Sequence, residues 1–460
     1  MRFDRLDRAV VTALAITLIF VVLLLLRGDQ VGVQISRISP ADNARDVPLR
    51  GRITFAFNEN MLTRTLEGNV QLSPIVTGAL QWNGSSAAFV PSVSLQPDTA
   101  YTFTIQAGAS SVRGRALIKD IVVHFRTGHP RLLYLMPATG TPDLFIQDVT
   151  GNDLAQPAQR LTSEPFGVWD FAVSPDGRRI VYSARRDAGD TRDLWLMNSN
   201  GSGRVRLVAC DDQVCQSASW SADSTRIAFE RRNLVKGALG KTPGPSRIWI
   251  ADVNTGNAVP LLEDSQKLGS LPRWAPAGDK LAYFDPTDSV VTILDTVKLE
   301  RVQLPSVLGD SGTWSPDATQ LIYPELQGLD SGSFYQLLRV DLVHNVITTE
   351  LPISNTNDAS AVWSPVGDKI AFTRRSSTVA AGAGAQIWLK PANGTEASAL
   401  THDSGYTYGA LGFSPDGGWL AALRFNLNEP NARPEVWLLR VDGSDKRLIA
   451  ANATQPAWLP

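Results

Sequence analysis

A short motif recurs six times between residues 170 and 423, and this repetition limits the possible folds more than any other feature. Each copy has an apolar or aromatic residue, a turn rich in Ser, Pro, Asp and Gly, and then an apolar triplet such as Ile227-Ala-Phe229. The Ser or Ala that opens the turn falls at positions 174, 221, 275, 315, 364 and 414, so the repeats are 40 to 54 residues long. Repeats of this length with four short strands each are typical of β-propeller blades.

The two ends of the repeat region predict seven blades. Residues 131–135 and 143–147 supply two strands of a further unit, which lacks an innermost strand. The chain finishes with Gln-Pro-Ala-Trp-Leu-Pro at 455–460, a seventh copy of the motif that stops at its turn. We therefore expect the C-terminal strand to complete the first blade and close the ring, which removes an exposed sheet edge.

The repeats in residues 130–460 resemble those of TolB-type propellers, which also occur in prolyl-oligopeptidase-like peptidases. The resemblance rests on the Ser-Pro-Asp-Gly turns at 174–177 and 414–417 and on their variants in the other repeats. It implies a propeller that acts through protein–protein contacts in the cell envelope, as TolB-like proteins do. It does not identify a ligand, because one fold serves many functions.

Residues 34–128 predict a separate antiparallel β-sandwich. Short apolar runs alternate with polar residues at period two, which is typical of strands with one buried face. Residues 38–48, 55–61 and 125–128 resemble the bacterial Ig-like domain of surface-layer and other exported proteins. The resemblance implies a spacer or adhesion module. The fold class predicted for the whole chain is therefore all-β, preceded by one transmembrane helix.

The predicted transmembrane helix is residues 9–26, which carry no charge. At 1.5 Å per residue such a helix covers ~27 Å, close to the hydrocarbon thickness of a bilayer. Arg2, Arg5 and Arg8 precede it and favour a cytoplasmic N-terminus. A cleaved signal peptide is the alternative, but no small-x-small cleavage pattern follows Leu26. We expect residues 1–30 to form a cytoplasmic tip and an anchor in the plasma (inner) membrane, with the remaining chain extracytoplasmic.

Composition and motifs argue against several functions. The chain has 43 Lys+Arg and 45 Asp+Glu residues, and this balance disfavours nucleic-acid binding. Its two cysteines and four histidines offer little for a zinc site. It contains no Gly-x-Ser-x-Gly nucleophile elbow, phosphate loop or dinucleotide fingerprint, and Gly309-Asp-Ser-Gly312 is predicted to be a turn. We therefore predict no catalytic residues, no metal and no cofactor.

Cys210 and Cys215 lie five positions apart in a loop that enters the third blade. Outside the cytoplasm this spacing favours a local disulfide. A redox role would normally need Cys-x-x-Cys spacing, and two free thiols are the remaining alternative.

Arginine pairs follow the second strand in three blades. Equivalent positions of a propeller share one face, and acidic residues of the loops that enter each next blade reach that face too. In one interpretation the arginines only form ion pairs between adjacent blades. In the other they form a rim that binds an anionic or polar partner, together with aromatic residues and the long loops 231–246 and 374–385. The candidate rim comprises Arg185, Arg186, Arg231, Arg232, Arg374, Arg375, Trp169, Phe166, Tyr406 and Tyr408.

These observations predict a membrane-anchored protein-binding or scaffolding protein of the bacterial cell envelope, with the Ig-like domain as a stalk. Its expected partner is an envelope protein or a cell-wall component. The first alternative is a sensor or carbohydrate-binding module at the channel mouth. The second is a propeller enzyme, which needs clustered carboxylates or histidines on the innermost strands. The sequence offers few polar residues there, mainly Arg273 and Thr313.

Overall fold

The computed structural model describes residues 12, 14–19, 32–149, 157–237, 240–329, 332–352, 354–376 and 383–460. Within these ranges, no helix combines the length and the apolar character needed to cross a membrane. Most of the predicted anchor, 9–26, lies outside the described residues. The chain divides into two compact units, which are residues 1–44, 52–90 and 100–125, and residues 45–51, 91–99 and 126–460.

The N-terminal strands form two four-stranded sheets, in the orders β1-β3-β6-β5 and β2-β8-β7-β4. The period-two alternation explains them, because in β3 the first, third and fifth residues are buried. Phe55 of one sheet packs on Phe103 of the other, with ring centroids 5.7 Å apart. The strands are β1 Ile35–Ser39, β2 Ala44–Val47, β3 Ile53–Phe57, β4 Val70–Ser73, β5 Gly78–Asn83, β6 Ser86–Pro91, β7 Ala100–Ile105 and β8 Ile121–Thr127, with a 3-10 turn at Thr63–Thr65.

Seven four-stranded antiparallel groups follow, which is the arrangement of a seven-bladed propeller. Blade 1 contains β9 Arg131–Met136, β10 Asp143–Asp148 and β11 Gln159–Arg160, and the C-terminal β36 Thr454–Leu459 completes it by pairing with β9. Blades 2 and 3 share one sheet because a single parallel bridge joins β14 to β16. The all-β prediction is confirmed, and the last strand closes the ring as expected.

The remaining six blades each run from their first, innermost strand to their fourth. Blade 2 is β12 Val168–Val173, β13 Arg179–Arg185, β14 Arg192–Asn198 and β15 Val205–Val208; blade 3 is β16 Gln213–Trp220, β17 Arg226–Gly237, β18 Gly240–Asp252 and β19 Ala258–Pro260; blade 4 is β20 Ser270–Trp274, β21 Lys280–Asp285, β22 Val290–Asp295 and β23 Arg301–Pro305. Blade 5 is β24 Thr313–Trp314, β25 Gln320–Leu329, β26 Gly332–Asp341 and β27 Val346–Thr349; blade 6 is β28 Thr356–Trp363, β29 Lys369–Ser376, β30 Gln386–Pro391 and β31 Ser398–Ala399; blade 7 is β32 Tyr406–Phe413, β33 Trp419–Asn426, β34 Glu435–Arg440 and β35 Lys446–Ala451.

The repeated motif builds the turn between the first and second strands of a blade. In blade 2 the Ser174 hydroxyl donates to Asp176 at 2.5 Å and accepts from the Arg179 amide at 2.9 Å. Gly177 has a φ of 68°, a left-handed conformation that glycine adopts without strain. The Ser, Asp and Gly of the motif therefore each have a local role in the turn.

Three tryptophans of the repeated motif join neighbouring blades through their indole N–H groups. The Trp220 indole donates to the Ala172 carbonyl at 3.0 Å, and Trp314 donates to Arg273 at 3.0 Å. Trp458, on the C-terminal strand, donates to Gly412 of blade 7 at 2.9 Å. The same contact that joins two internal blades thus also joins the last blade to the first.

The prediction of a long loop at 231–246 is wrong, because most of these residues are in strands. β17 and β18 are paired from Arg226 to Gly237 and from Gly240 to Asp252, and they form a long two-stranded ribbon. Of the second expected loop, 374–385, residues 377–382 lie outside the described residues.

Candidate functional site

The candidate rim lies at one end of the blades. Strands alternate in direction within a blade, so each first strand begins at the end where the hairpin between the second and third strands turns. We call this end the entry face. The arginine pairs lie where β13, β17 and β29 reach it, and Phe166, Trp169, Tyr406 and Tyr408 lie where β12 and β32 begin.

One arginine of each pair is held by a carboxylate of its own blade. Arg186 donates to Asp193 at 2.6 Å, Arg232 to Glu230 at 2.5 Å, and Arg374 to both oxygens of Asp358 at 2.7 Å. The three carboxylates are buried. The structure therefore places these ion pairs within single blades, whereas the first interpretation expected pairs between adjacent blades.

The other arginine of each pair has no carboxylate within 4 Å in the described part of the chain. Arg185 lies over the Trp169 ring, 5.2 Å from its centroid. Arg231 lies 4.5 Å from the Trp249 centroid and donates to the Gln213 side chain. Arg375 is exposed. Each pair thus combines a structural arginine with a second guanidinium that forms no ion pair within the described residues.

The four aromatic residues of the candidate rim divide into two groups. Trp169 and Phe166, in blade 2, are 40% and 37% exposed. Tyr406 is half-buried beneath the Arg424 guanidinium, at 4.0 Å, and Arg424 itself pairs with Glu435. Tyr408 is buried, and its hydroxyl donates to Asp403 at 2.8 Å. Of these four residues, Trp169 and Phe166 therefore present the larger apolar surface.

Sequence analysis missed two acids that each contact the first strand of the next blade. Asp170 of β12 accepts the Ser217 amide at 2.6 Å, and Glu230 of β17 accepts the Leu271 amide at 2.8 Å. Ser217 and Leu271 have positive φ, of 56° and 51°, where the pairing of β16 and β20 shifts register. The bulge turns the amide toward the previous blade, so each carboxylate joins two blades. The sequence contains a positional signal for these bulges, because Ser217 and Leu271 each lie four residues before the Ser or Ala that opens the motif's turn.

The Asp170 carboxyl has an unusual environment. Burial raises its pKa to about 7, the charge of Glu230 acts in the same direction, and the Ser217 amide and Arg192 oppose the rise. Its second oxygen has no hydrogen-bond partner in the described structure. The buried Arg192 guanidinium lies 3.8 Å from the Trp169 centroid and donates to Gln216 at 2.5 Å. This carboxyl therefore titrates near neutral pH.

Cys210 and Cys215 form a disulfide, with Cα atoms 6.3 Å apart. Both residues are buried; Cys210 lies in the connection between β15 and β16, and Cys215 lies in β16. The Cys210 amide donates to Asp193 at 2.8 Å, so the disulfide loop contacts the carboxylate that holds Arg186. The loop that enters blade 3 is thus linked to one of the arginine pairs.

Replacing both cysteines with serine should lower the free energy of unfolding by about 2 kcal/mol, the chain-entropy value for so short a loop. Chemical denaturation of the full-length chain, with and without reductant, measures this loss. Reduced wild type should match the double variant, and reductant should not affect the variant. Equal stability of the oxidised wild type and the variant would show that the disulfide adds nothing.

Among the residues described, no group of three or more His, Cys, Asp or Glu side chains is placed to hold a metal ion. The polar centre of the site is therefore Asp170, Arg192 and Glu230, surrounded by the arginines of blades 2 and 3.

Comparison with known protein families identifies the N-terminal domain. The bacterial Ig-like domain family matches residues 29–127, as the sequence resemblance predicted. No curated protein matches the sequence. The chain is thus an all-β protein with a bacterial Ig-like domain followed by propeller blades.

The similar solved structures include TolB from Acinetobacter baumannii, aligned over 94% of this chain and 100% of its own with 15% identity and a TM-score of 0.43. An oligogalacturonate lyase in complex with manganese aligns over 62% of this chain and 75% of its own, with 18% identity and a TM-score of 0.42. A prolyl endopeptidase structure aligns over 85% of this chain and 51% of its own, with 11% identity and a TM-score of 0.49. The likeness concerns the fold, which the strand pairing itself establishes.

Proposed function

We propose that this protein is a membrane-anchored, extracytoplasmic protein of the bacterial cell envelope that binds a partner protein through the entry face of its propeller. The observation that carries the proposal is the division of the arginine pairs. Arg185, Arg231 and Arg375 have no carboxylate partner in the described chain, and all three lie at one face. Exposed Trp169 and Phe166 lie at that face as well. Arginine and tryptophan are the residues that most often dominate binding energy in protein interfaces.

The anchor and the stalk complete the proposal. The uncharged segment 9–26 supports anchoring in the plasma (inner) membrane with a cytoplasmic N-terminus. The Ig-like domain stands between this segment and the blades in the sequence, so it acts as the stalk that carries the propeller. The proposed activity is binding, without catalysis.

Reversing the three unpaired charges is expected to reduce capture of the partner at least tenfold. The variant Arg185→Glu, Arg231→Glu and Arg375→Glu leaves the ion pairs of Arg186, Arg232 and Arg374 intact. Arg375 is preferred to Arg374 because loss of Arg374 would leave Asp358 buried without its partner. Crosslinking of the anchored chain in native membranes, with partners quantified by mass spectrometry, measures the effect.

The matched control is Lys298→Glu and Arg301→Glu, two exposed residues at the turn between β22 and β23, at the opposite end of blade 4. It reverses basic charges without affecting the entry face. Equal capture by wild type, control and entry-face variant would contradict the proposal.

One observation favours a second function, the recognition of a carbohydrate or small ligand at the channel mouth. Trp169 is exposed at the start of the innermost strand, with Asp170 next to it and Arg192 over its ring. An aromatic face beside charged groups is a common arrangement in ligand sites. Retention of the isolated protein on immobilised cell-wall glycan, with no protein captured from membranes, would favour this function.

A further inference from the structure

The ribbon of blade 3 differs from the other hairpins of the propeller in its charge. We define the basic ribbon as residues 231–236 of β17 and 241–247 of β18. These residues include five basic side chains and no acidic one, in a chain whose net charge is −2. Glu230, which precedes the ribbon in β17, is buried and already accepts hydrogen bonds from Arg232 and the Leu271 amide. The basic ribbon therefore carries a concentrated positive charge.

The strand register places like charges directly opposite each other. Arg231 is paired with Arg247, and Lys236 is paired with Lys241. Like charges at directly opposed positions of an antiparallel pair destabilise it, because their side chains are held close together. Lys236 and Lys241 are both exposed. Two such pairs on one ribbon are unfavourable in the free protein and become favourable when an anionic partner lies between them.

Most of the basic ribbon also has no neighbouring strand. The pairing of β16 with β17 extends only to Asn233, and β19 pairs with β18 only at residues 249–251. β18 carries Pro243 and Pro245, which lack the N–H groups that an added strand would need. β17 carries no proline from 234 to 236, beyond its pairing with β16, so this part of its edge can accept a further strand.

Length alone does not produce this arrangement, as the other long hairpin shows. β25 and β26 are paired from Gln320 to Leu329 and from Gly332 to Asp341. At its distal part Leu326 is opposite Tyr335 and Glu325 is opposite Gln336. No like-charge pair occurs among residues 324–328 and 334–338 of this hairpin. Among the described hairpins, blade 2 has one opposed basic pair, Arg185 and Arg192, whereas the ribbon of blade 3 has two.

We propose that the basic ribbon docks an acidic, extended polypeptide segment of the partner, which adds to the free edge of β17. Main-chain hydrogen bonds hold the added strand, and its carboxylates neutralise the Lys236–Lys241 and Arg231–Arg247 pairs. Arg231 suits a carboxylate because its guanidinium rests on Trp249 and has no carboxylate partner in the described chain. The free strand edge favours a polypeptide over an anionic membrane, which offers no main chain to pair. This inference rests on the proposed protein-binding function and names the chemistry of its partner.

Binding of a labelled ten-residue peptide that alternates glutamate and threonine, measured by fluorescence anisotropy with the full-length chain in non-ionic detergent, tests the inference. Wild type should bind this peptide at least tenfold more tightly than the same peptide with glutamine for glutamate, and added salt should weaken the binding. Lys236→Gln with Lys241→Gln should remove most of the preference, whereas Lys298→Gln with Arg301→Gln should retain it. The Lys236/Lys241 variant should melt at or above the wild-type temperature, because it removes a like-charge pair, so unfolding would not explain lost binding.

Three results would overturn the inference. They are equal affinity for the glutamate and glutamine peptides, unchanged peptide binding by the Lys236/Lys241 variant, and binding to phosphatidylglycerol vesicles in place of the peptide. Failure of the broader proposal is recognised separately. If the Arg185/Arg231/Arg375 variant loses the captured protein while the Lys236/Lys241 variant keeps it, the entry face binds a protein but the ribbon does not dock an acidic segment.

Discussion

Replacing Glu350 with alanine is expected to lower the free energy of unfolding of the propeller by about 3–5 kcal/mol, the range for breaking a buried ion pair. Glu350 is 4% exposed and follows β27, and it accepts two hydrogen bonds of 2.6 Å from Arg339 of blade 5. It also accepts one from Lys390 of blade 6, which is 2% exposed. One carboxylate therefore neutralises two cations across the junction between blades 5 and 6.

Removal of this carboxylate leaves the buried Lys390 and the partly buried Arg339 without their common acidic partner. Burial already lowers the pKa of Lys390, and Glu350 opposes that effect. Without Glu350, Lys390 must lose its proton or the junction must open to water. The melting temperature of the full-length chain should fall by roughly 4–7 °C, because a domain of this size has a large entropy of unfolding.

The exposed ion pair of Lys267 and Asp288, at 3.0 Å, provides the matched control. Asp288→Ala should change the free energy of unfolding by no more than about 0.5 kcal/mol, because water screens exposed pairs. Glu350→Ala combined with Lys390→Met should recover part of the loss, since one of the two stranded charges is removed. If the Glu350→Ala and Asp288→Ala variants had the same melting temperature, the junction would tolerate both cations.

The blade architecture was predictable because its signals are local. The turn at Ser174 is closed by hydrogen bonds to residues two and five positions away, so a short window of sequence contains all its partners. Trp220 and Trp458 occupy the same place in the motif, which allowed the C-terminal strand to be assigned to the first blade. The Ig-like strands were predictable for a similar reason, since alternation within five residues identifies a half-buried strand.

The roles of the individual arginines were not predictable from the pattern that revealed them. The carboxylates that hold Arg186, Arg232 and Arg374 lie 7, 2 and 16 residues away in the sequence. They belong to the third, second and first strands of their blades, so no common spacing identifies them. Which member of each pair is neutralised depends on how its own hairpin turns. The doubling of arginines was visible in the sequence, but the unpaired member was not.

Asp170 was missed because a bulge decides where its side chain points. β12 begins at Val168, and its register with β13 shifts between Val168 and Asp170. A shift of one residue exchanges the two faces of a strand. Alternation therefore could not tell whether Asp170 faces solvent or the neighbouring blade.

Replacing Asp170 with asparagine is expected to stabilise the propeller above pH 7 and to have little effect near pH 4. The folded protein holds this carboxyl at a pKa of about 7, above its ordinary value of 3.8. Between these two pH values the folded chain binds a proton that the unfolded chain lacks. The contribution of this carboxyl to the free energy of unfolding of the wild type therefore falls as the pH rises. Above pH 7 the ionised carboxyl remains buried, at a cost of up to about 4 kcal/mol for so large a shift.

Asparagine removes the charge and keeps an oxygen that can accept the Ser217 amide, so the junction of blades 2 and 3 stays closed. We expect a gain of about 2 kcal/mol at pH 8, half the upper limit, because the Asp170 side chain is not fully buried. Denaturation of wild type, Asp170→Asn and the control Asp288→Asn between pH 4 and pH 9 measures the effect, and only Asp170→Asn should flatten the curve. Parallel curves for all three would mean that Asp170 ionises freely. A flattened curve would show that the blade junction beside Trp169 and Arg192 loosens as the medium turns alkaline, next to the face that we propose for binding.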